Sequence, residues 1–271
     1  MAANAPVNWT VMFDRVKGSI FYVLVEPKED KIKDLQVVAN RVKTVRDSAK
    51  RRKMVRSGYC STGFSLMEGP TVLYIATTAH SLQHLFKASD PITAGTMDMF
   101  NVSVLCYHFE HDYQEAGLVG DRKHAKAYMM AMDCDNDILI VAVGKEDLKN
   151  FADDQVCVRG HPCLTISQHE AREVRDCMLV SWPSHKPCKV SRGFTSTSRM
   201  ISAISSPNRV EYSMTLLECH MSTEKGSSGA PLLDDNEEVI GMLHGGLGGP
   251  DSYFVAASHL QGWVLSPDLL N

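Results

Sequence analysis

What this sequence lacks narrows it before any motif is considered. No apolar run approaches the ~20 residues that a membrane-spanning helix needs. The eight cysteines, at 60, 106, 134, 157, 163, 177, 188 and 219, include no Cys-x-x-Cys pair, the usual half-site of a structural zinc. The 18 glycines and 11 prolines are scattered, and nothing repeats at the period of a solenoid or propeller. Residues 1–16 lack the apolar core of a secretory leader and carry Asp14 and Arg15 instead. The chain is therefore expected to be cytoplasmic or nuclear, not secreted, with no transmembrane segment and with its cysteines kept as small thiols.

At 271 residues and 44% hydrophobic, the chain is long enough for one large domain or two fused halves, each with a core. Residues 19–25, 61–66, 72–78, 102–108 and 137–143 read as strands in the first half, and 177–182, 209–217, 239–243 and 253–256 in the second. Short strands punctuated by Gly, Pro, Asn and Asp indicate an all-β protein built as a sandwich or barrel.

One segment departs from this pattern. Over residues 29–52, Ile32, Leu35, Val38, Val42 and Val45 recur at three- and four-residue steps and predict an amphipathic helix. Residues 31–56 hold ten Lys and Arg against Asp34 and Asp47, a surplus of eight in a chain whose net charge is −4. A solvated basic face accounts for such a run. The other readings are docking on nucleic acid, an acidic protein or a membrane surface, with Lys50-Arg51-Arg52-Lys53 also able to serve as a nuclear-import signal.

Residues that could ligate a metal fall into two short runs, Cys106 to His111 and Cys157 with His161 and Cys163. Positions 106, 108 and 110 would share one face of a strand, which suits packing as well as ligation. No metal is expected.

The chemistry is concentrated in Lys225-Gly226-Ser227-Ser228-Gly229-Ala230-Pro231-Leu232. Gly226 lets the backbone turn tightly, so that the N–H groups of Gly226 and Ser228 converge on one developing oxyanion. Two upstream blocks join it, Thr77-Thr78-Ala79-His80 and Asn136-Asp137-Ile138-Leu139. His, Asp, Ser is one of the chain orders in which a hydrolytic triad occurs. The separations of 57 residues from His80 to Asp137 and 91 to Ser228 allow histidine and aspartate on one barrel and serine on another. Asp133 and Asp135 compete for the aspartate role, and Ser227 for that of nucleophile.

These blocks resemble trypsin-like (chymotrypsin-fold) serine peptidases over about residues 18–265. Thr-Thr-Ala-His is similar to the family's Thr-Ala-Ala-His, Asp-Ile-Leu-Ile to Asp-Ile-Ala-Leu, and Gly-Ser-Ser-Gly-Ala-Pro to Gly-Asp-Ser-Gly-Gly-Pro. Ser61-Thr62-Gly63-Phe64 resembles the strand before the histidine in the non-secreted, high-temperature-requirement branch. The resemblance implies two six-stranded antiparallel β-barrels with an inserted N-terminal basic helix. Residues 1–17 would form an extension, 18–150 the first barrel with the helix at about 29–52, and 151–271 the second barrel with the serine and the primary pocket. It further implies a serine endopeptidase acting on peptide or protein through an acyl-enzyme. Ser228 would be the nucleophile, His80 the base, Asp137 its orienting partner, and Gly226 and Ser228 the oxyanion donors, with no cofactor.

The chain also departs from the secreted members. Ser81 and Glu224 stand where those have cysteine, and Ser227 replaces the aspartate that pairs with a newly cut N-terminus. By motif register Ser222 and Thr223 floor the primary pocket, with His244, Gly245 and Gly246 as its wall, polar but uncharged; the other reading, and the preferred one, packs His244 beside the triad without contact to substrate. The glutamate-specific endopeptidases are similar here, although their histidine falls where this chain has Leu243. The rival reading is a catalytically weak or inactive protease-fold binding or scaffold module that acts through its basic helix.

Overall fold

Strands buried on both faces over much of their length build two barrels that share a buried seam. The computed structural model describes residues 7–151, 153–183, 188–201, 208–246 and 249–264. β1 (Ile20–Pro27), β2 (Tyr59–Glu68), β3 (Val72–Thr78), β4 (Phe100–Cys106), β5 (Ala125–Asp133) and β6 (Ile138–Gly144) close antiparallel in the order β1-β2-β3-β6-β5-β4. β7 (Asp176–Ser181), β8 (Lys189–Ile201), β9 (Met214–His220), β10 (Pro231–Leu233), β11 (Val239–Gly246) and β12 (Asp251–Ala256) close in the order β10-β11-β12-β9-β8-β7. Both barrels are six-stranded, as expected.

β7 shows how alternation serves both the barrel and the seam. Cys177 and Leu179 join a cluster with Leu217, Leu232 and Phe254, while Met178 and Val180 join the larger cluster that includes first-barrel residues. Successive side chains on a strand point to opposite faces, so a strand buried on both sides reads as one continuous apolar run. The backbone of Thr62 in β2 donates to the Ser228 carbonyl (2.8 Å), tying the first barrel to the loop before β10.

Among the described residues, helices fill the connections: α1 (Trp9–Val16), α2 (Ile32–Val42), α3 (Ser48–Val55), α4 (Ala94–Met97), α5 (Tyr107–Glu115) and α6 (Ala257–Val264). The basic segment forms two helices, α2 and α3, where the sequence pattern predicted one. Lys43 ends α2 in the left-handed region (φ 55°), and Asp47 caps α3 by accepting from the Ala49 and Lys50 N–H groups. α2 buries Leu35, Ala39 and Val42, whereas α3 buries only Val55 and leaves Lys50, Arg52 and Lys53 exposed.

Other expectations shift at element boundaries. The strand predicted over 102–108 stops at Cys106, and α5 begins at Tyr107, so positions 106, 108 and 110 do not share a strand face. The strand predicted over 209–217 starts only at Met214. Before it, the Asn208 side chain accepts from the Tyr212 N–H (3.0 Å) and donates to its carbonyl (2.8 Å), closing a turn. β5, β8 and β10 had no strand signal: β8 is rich in Ser, Thr and Arg, and β10 spans only three residues. All eight cysteines are free thiols, and no described helix is long and apolar enough to cross a membrane.

Candidate active site

Neighbouring strands bring His80 and Asp137 together. β3 and β6 pair in register down to Thr78 opposite Ile138, so His80 lies just beyond the end of β3 and Asp137 just before the start of β6. Asp137 takes a left-handed conformation (φ 59°), which aspartate tolerates better than most residues. Its Oδ1 accepts from the His80 backbone N–H (2.6 Å), and its Oδ2 lies 2.8 Å from His80 Nδ1. The other ring nitrogen, Nε2, lies 3.1 Å from Ser228 Oγ. The three residues identified from their motifs thus form one hydrogen-bonded chain.

The competing residues are occupied elsewhere. Asp133 accepts from the backbone N–H groups of Asp135 and Asn136, both at 3.0 Å, and so closes the β5–β6 turn, while Asp135 is exposed. Ser227 is buried, and its hydroxyl donates to Ser181 Oγ (3.2 Å).

The serine loop is held by backbone geometry and by the first barrel. Gly226 and Gly229 both have positive φ, 91° and 85°. Thr62 Oγ1 donates to the Gly226 carbonyl (2.9 Å) and accepts from the Trp182 N–H (2.8 Å). Among the described residues, neither the Gly226 nor the Ser228 N–H has a hydrogen-bond acceptor in the protein. Two unspent donors therefore flank the serine hydroxyl, as stabilisation of an oxyanion requires.

His244 packs beside the triad, as the preferred reading of the sequence had it, and also bonds to Asp137. Its Nδ1 lies 2.5 Å from Asp137 Oδ2, the oxygen that also meets His80. Its ring stands edge-on to His80 (5.3 Å between centroids) and to Tyr212 (5.5 Å). Asp137 is fully buried, and burial alone would raise its pKa. The charges and hydrogen bonds of His80 and His244 outweigh that and hold the carboxyl well below the usual carboxylate range. For His80, burial works against the charged form, but the Asp137 charge overcomes it and raises the imidazole above its ordinary value of 6.5.

The remaining pocket candidates lie along the end of β11. Thr223 Oγ1 is 3.1 Å from Ser252 Oγ, and Gly246 packs against both hydroxyls. Gly245 faces open space and Ser222 is exposed. A cleft of ≈ 870 Å³ also opens beside His244. Arg46, Lys50, Arg199 and Arg209 line it, with Asp47 the one acidic side chain among the lining residues. The α2–α3 connection thus reaches the site, a placement that depends on tertiary contacts and has no local sequence signal.

The family model of the trypsin-like peptidase domain matches residues 61–242. No curated protein sequence matches the chain. Among solved structures, the active form of the Rv3671c protease from M. tuberculosis is similar at 15% identity and a TM-score of 0.56, with 97% of this chain and 90% of that one covered. Its inactive form is similar at 17% identity and a TM-score of 0.55, over 97% and 96% of the two chains. Deg5 is similar at 13% identity and a TM-score of 0.56, over 93% and 90%. At these identities the solved structures speak to the fold alone.

Proposed function

Because this chain belongs to the trypsin-like peptidase family and is a serine-type peptidase, we propose that it is an endopeptidase acting through Ser228, His80 and Asp137. The observation that carries this reading is the continuous chain from Asp137 Oδ2 through His80 to Ser228 Oγ, with legs of 2.8 and 3.1 Å. A serine hydroxyl is a weak nucleophile until a base accepts its proton. His80 Nε2 takes that proton as Oγ bonds to the scissile carbonyl carbon, and the Gly226 and Ser228 N–H groups receive the oxyanion. The same proton then passes to the departing amine, leaving the acyl group on Ser228. Water repeats the sequence: His80 accepts its proton, hydroxide adds to the ester carbon, and Ser228 leaves reprotonated. Asp137 keeps the Nδ1 proton in place and stabilises the imidazolium that forms in each half.

The substrate is a peptide or protein segment. Thr223, Ser222, Gly245 and Gly246 form a polar, uncharged primary pocket in this reading, and the basic rim of the neighbouring cleft favours acidic residues elsewhere in the bound segment. Hydrolysis of an unfolded protein and of a peptide library tests the proposal. The wild type cleaves both, while Ser228→Ala and His80→Ala lose at least about 10³-fold in rate. Retention of full activity by either folded variant overturns it.

A further inference from the structure

The fold joins the two cysteine–histidine runs that looked separate in sequence. Cys106, His108, Cys157 and His161 each offer one donor atom, and all four donors lie within 4.8 Å of one another. Cys106 ends β4 and His108 sits in the first turn of α5, while Cys157 and His161 belong to the segment that leads from the first barrel to the second. None of the four belongs to the peptidase site.

We propose that Cys106, His108, Cys157 and His161 form a structural zinc site that pins the inter-barrel connection to the first barrel.

The geometry fits a tetrahedral ion. Cys157 Sγ and His108 Nδ1 are 3.5 Å apart. Bonds of ~2.3 Å to sulfur and ~2.0–2.1 Å to nitrogen, opened to the tetrahedral angle, place S and N about 3.5 Å apart. That separation is the one expected of two ligands of one tetrahedral ion.

His161 supplies the second, independent observation. Its Nδ1 lies 2.8 Å from the Gly18 carbonyl, which can only accept, so the ring proton is on Nδ1 and the lone pair on Nε2. That Nε2 is buried and has no hydrogen-bond partner. A buried nitrogen with a free lone pair is costly unless something binds it. Metal-bound histidines characteristically donate their other N–H to a backbone carbonyl in this way.

The surroundings hold the connection in place. Arg159 makes a bidentate pair with Asp112 of α5 (2.9 and 2.5 Å), and Ser19 Oγ donates to the Pro162 carbonyl (2.6 Å). A cleft of ≈ 490 Å³ lined in part by Cys157 and His161 gives an entry path. On binding, Zn²⁺ displaces the two thiol protons to solvent. The site of two thiolates, two neutral imidazoles and one dication is then net neutral, which suits Cys106 and Cys157 at 2% and 8% exposure. With two sulfur and two nitrogen ligands no position remains for a substrate, so the ion is structural rather than catalytic.

The test uses the full chain, produced with zinc in the medium and analysed for bound metal. The expected result is about one zinc per chain. It is lost in Cys157→Ser and His161→Ala and retained in Cys163→Ser, whose thiol is not among the four donors. Should the loss variants fail to fold, the wild type still decides the matter. After zinc is chelated, Co²⁺ alone should bind stoichiometrically and give the thiolate charge-transfer and intense visible bands of a tetrahedral S₂N₂ site. Chelation should also lower the melting temperature. A metal-free chain with no cobalt spectrum overturns the proposal, as does a Cys106–Cys157 disulfide found by intact mass without metal.

Discussion

Replacing His244 by alanine separates two roles for that residue: lining a substrate pocket or holding the triad aspartate. Asp137 is fully buried and accepts three hydrogen bonds, from the His80 N–H (2.6 Å), His80 Nδ1 (2.8 Å) and His244 Nδ1 (2.5 Å). Hydrogen bonds to charged groups contribute roughly 1.5–3 kcal/mol. A water entering the space left by the ring would restore part of that, so a stability loss of about 1–3 kcal/mol is expected. In a chain of this size that lowers the melting temperature by about 2–4 °C per kcal/mol. The freed Oδ2 also holds the His80 ring less firmly. At about 1.4 kcal/mol per tenfold in rate, kcat should fall about 10- to 100-fold. The assay is steady-state kinetics over peptides differing at the residue before the cleaved bond, beside thermal denaturation. The expectation is lower kcat with every peptide, an unchanged order of preference and a lower melting temperature. Unchanged kcat and melting temperature, with KM raised for only one class of peptide, would refute it and assign His244 to substrate binding.

Three further outcomes follow from the same geometry. Gly229→Ala places a Cβ in overlap with the Thr62 carbonyl oxygen and 2.5 Å from Thr77 Oγ1, at φ 85°; it should cut activity at least about tenfold and lower the denaturation midpoint, because the serine loop must leave the first barrel. His80 must be neutral to accept the serine proton and its pKa is raised, so kcat/KM should fall as pH drops through a midpoint above 6.5; a midpoint below 6.5 counts against the Asp137 pairing. His84 is buried and its pKa is pushed down to about 4 by burial, so the unfolded chain takes up its proton first as pH falls below 6.5. About 3 kcal/mol of stability should then be lost between pH 6.5 and about 4, and denaturant titrations of His84→Leu should show a shallower loss over that window.

The parts of the molecule legible in the sequence were those where a single local rule governs the chain. β3 and β11 are short, apolar and bounded by turn residues, and their strands fell close to where the pattern put them. The serine, histidine and aspartate each lie in a short block whose glycines and flanking strands are themselves part of the geometry. What escaped depended on contacts between distant segments. β8 carries few apolar residues because much of its surface faces solvent, and only its pairing with β7 and β9 makes it a strand. Lys43 in the left-handed region splits the basic helix, although nothing in its residue type announces a break. His244 was visible as a histidine beside two glycines, but its bond to Asp137 spans 107 residues. The cysteine–histidine cluster is the extreme case: both short runs were visible as possible ligands, but their meeting depends on the turn from β4 into α5 and on contacts across 49 residues.

In the proposed mechanism Ser228, activated by His80, forms a covalent acyl intermediate. The most direct measurement is reaction of the folded protein with a fluorophosphonate probe, followed by peptide mapping of the adduct. One adduct per chain is expected, on Ser228, abolished in Ser228→Ala and slowed at least about 10³-fold in His80→Ala. Folded wild-type protein that takes up no probe, or an adduct on Ser227 in its place, would contradict it.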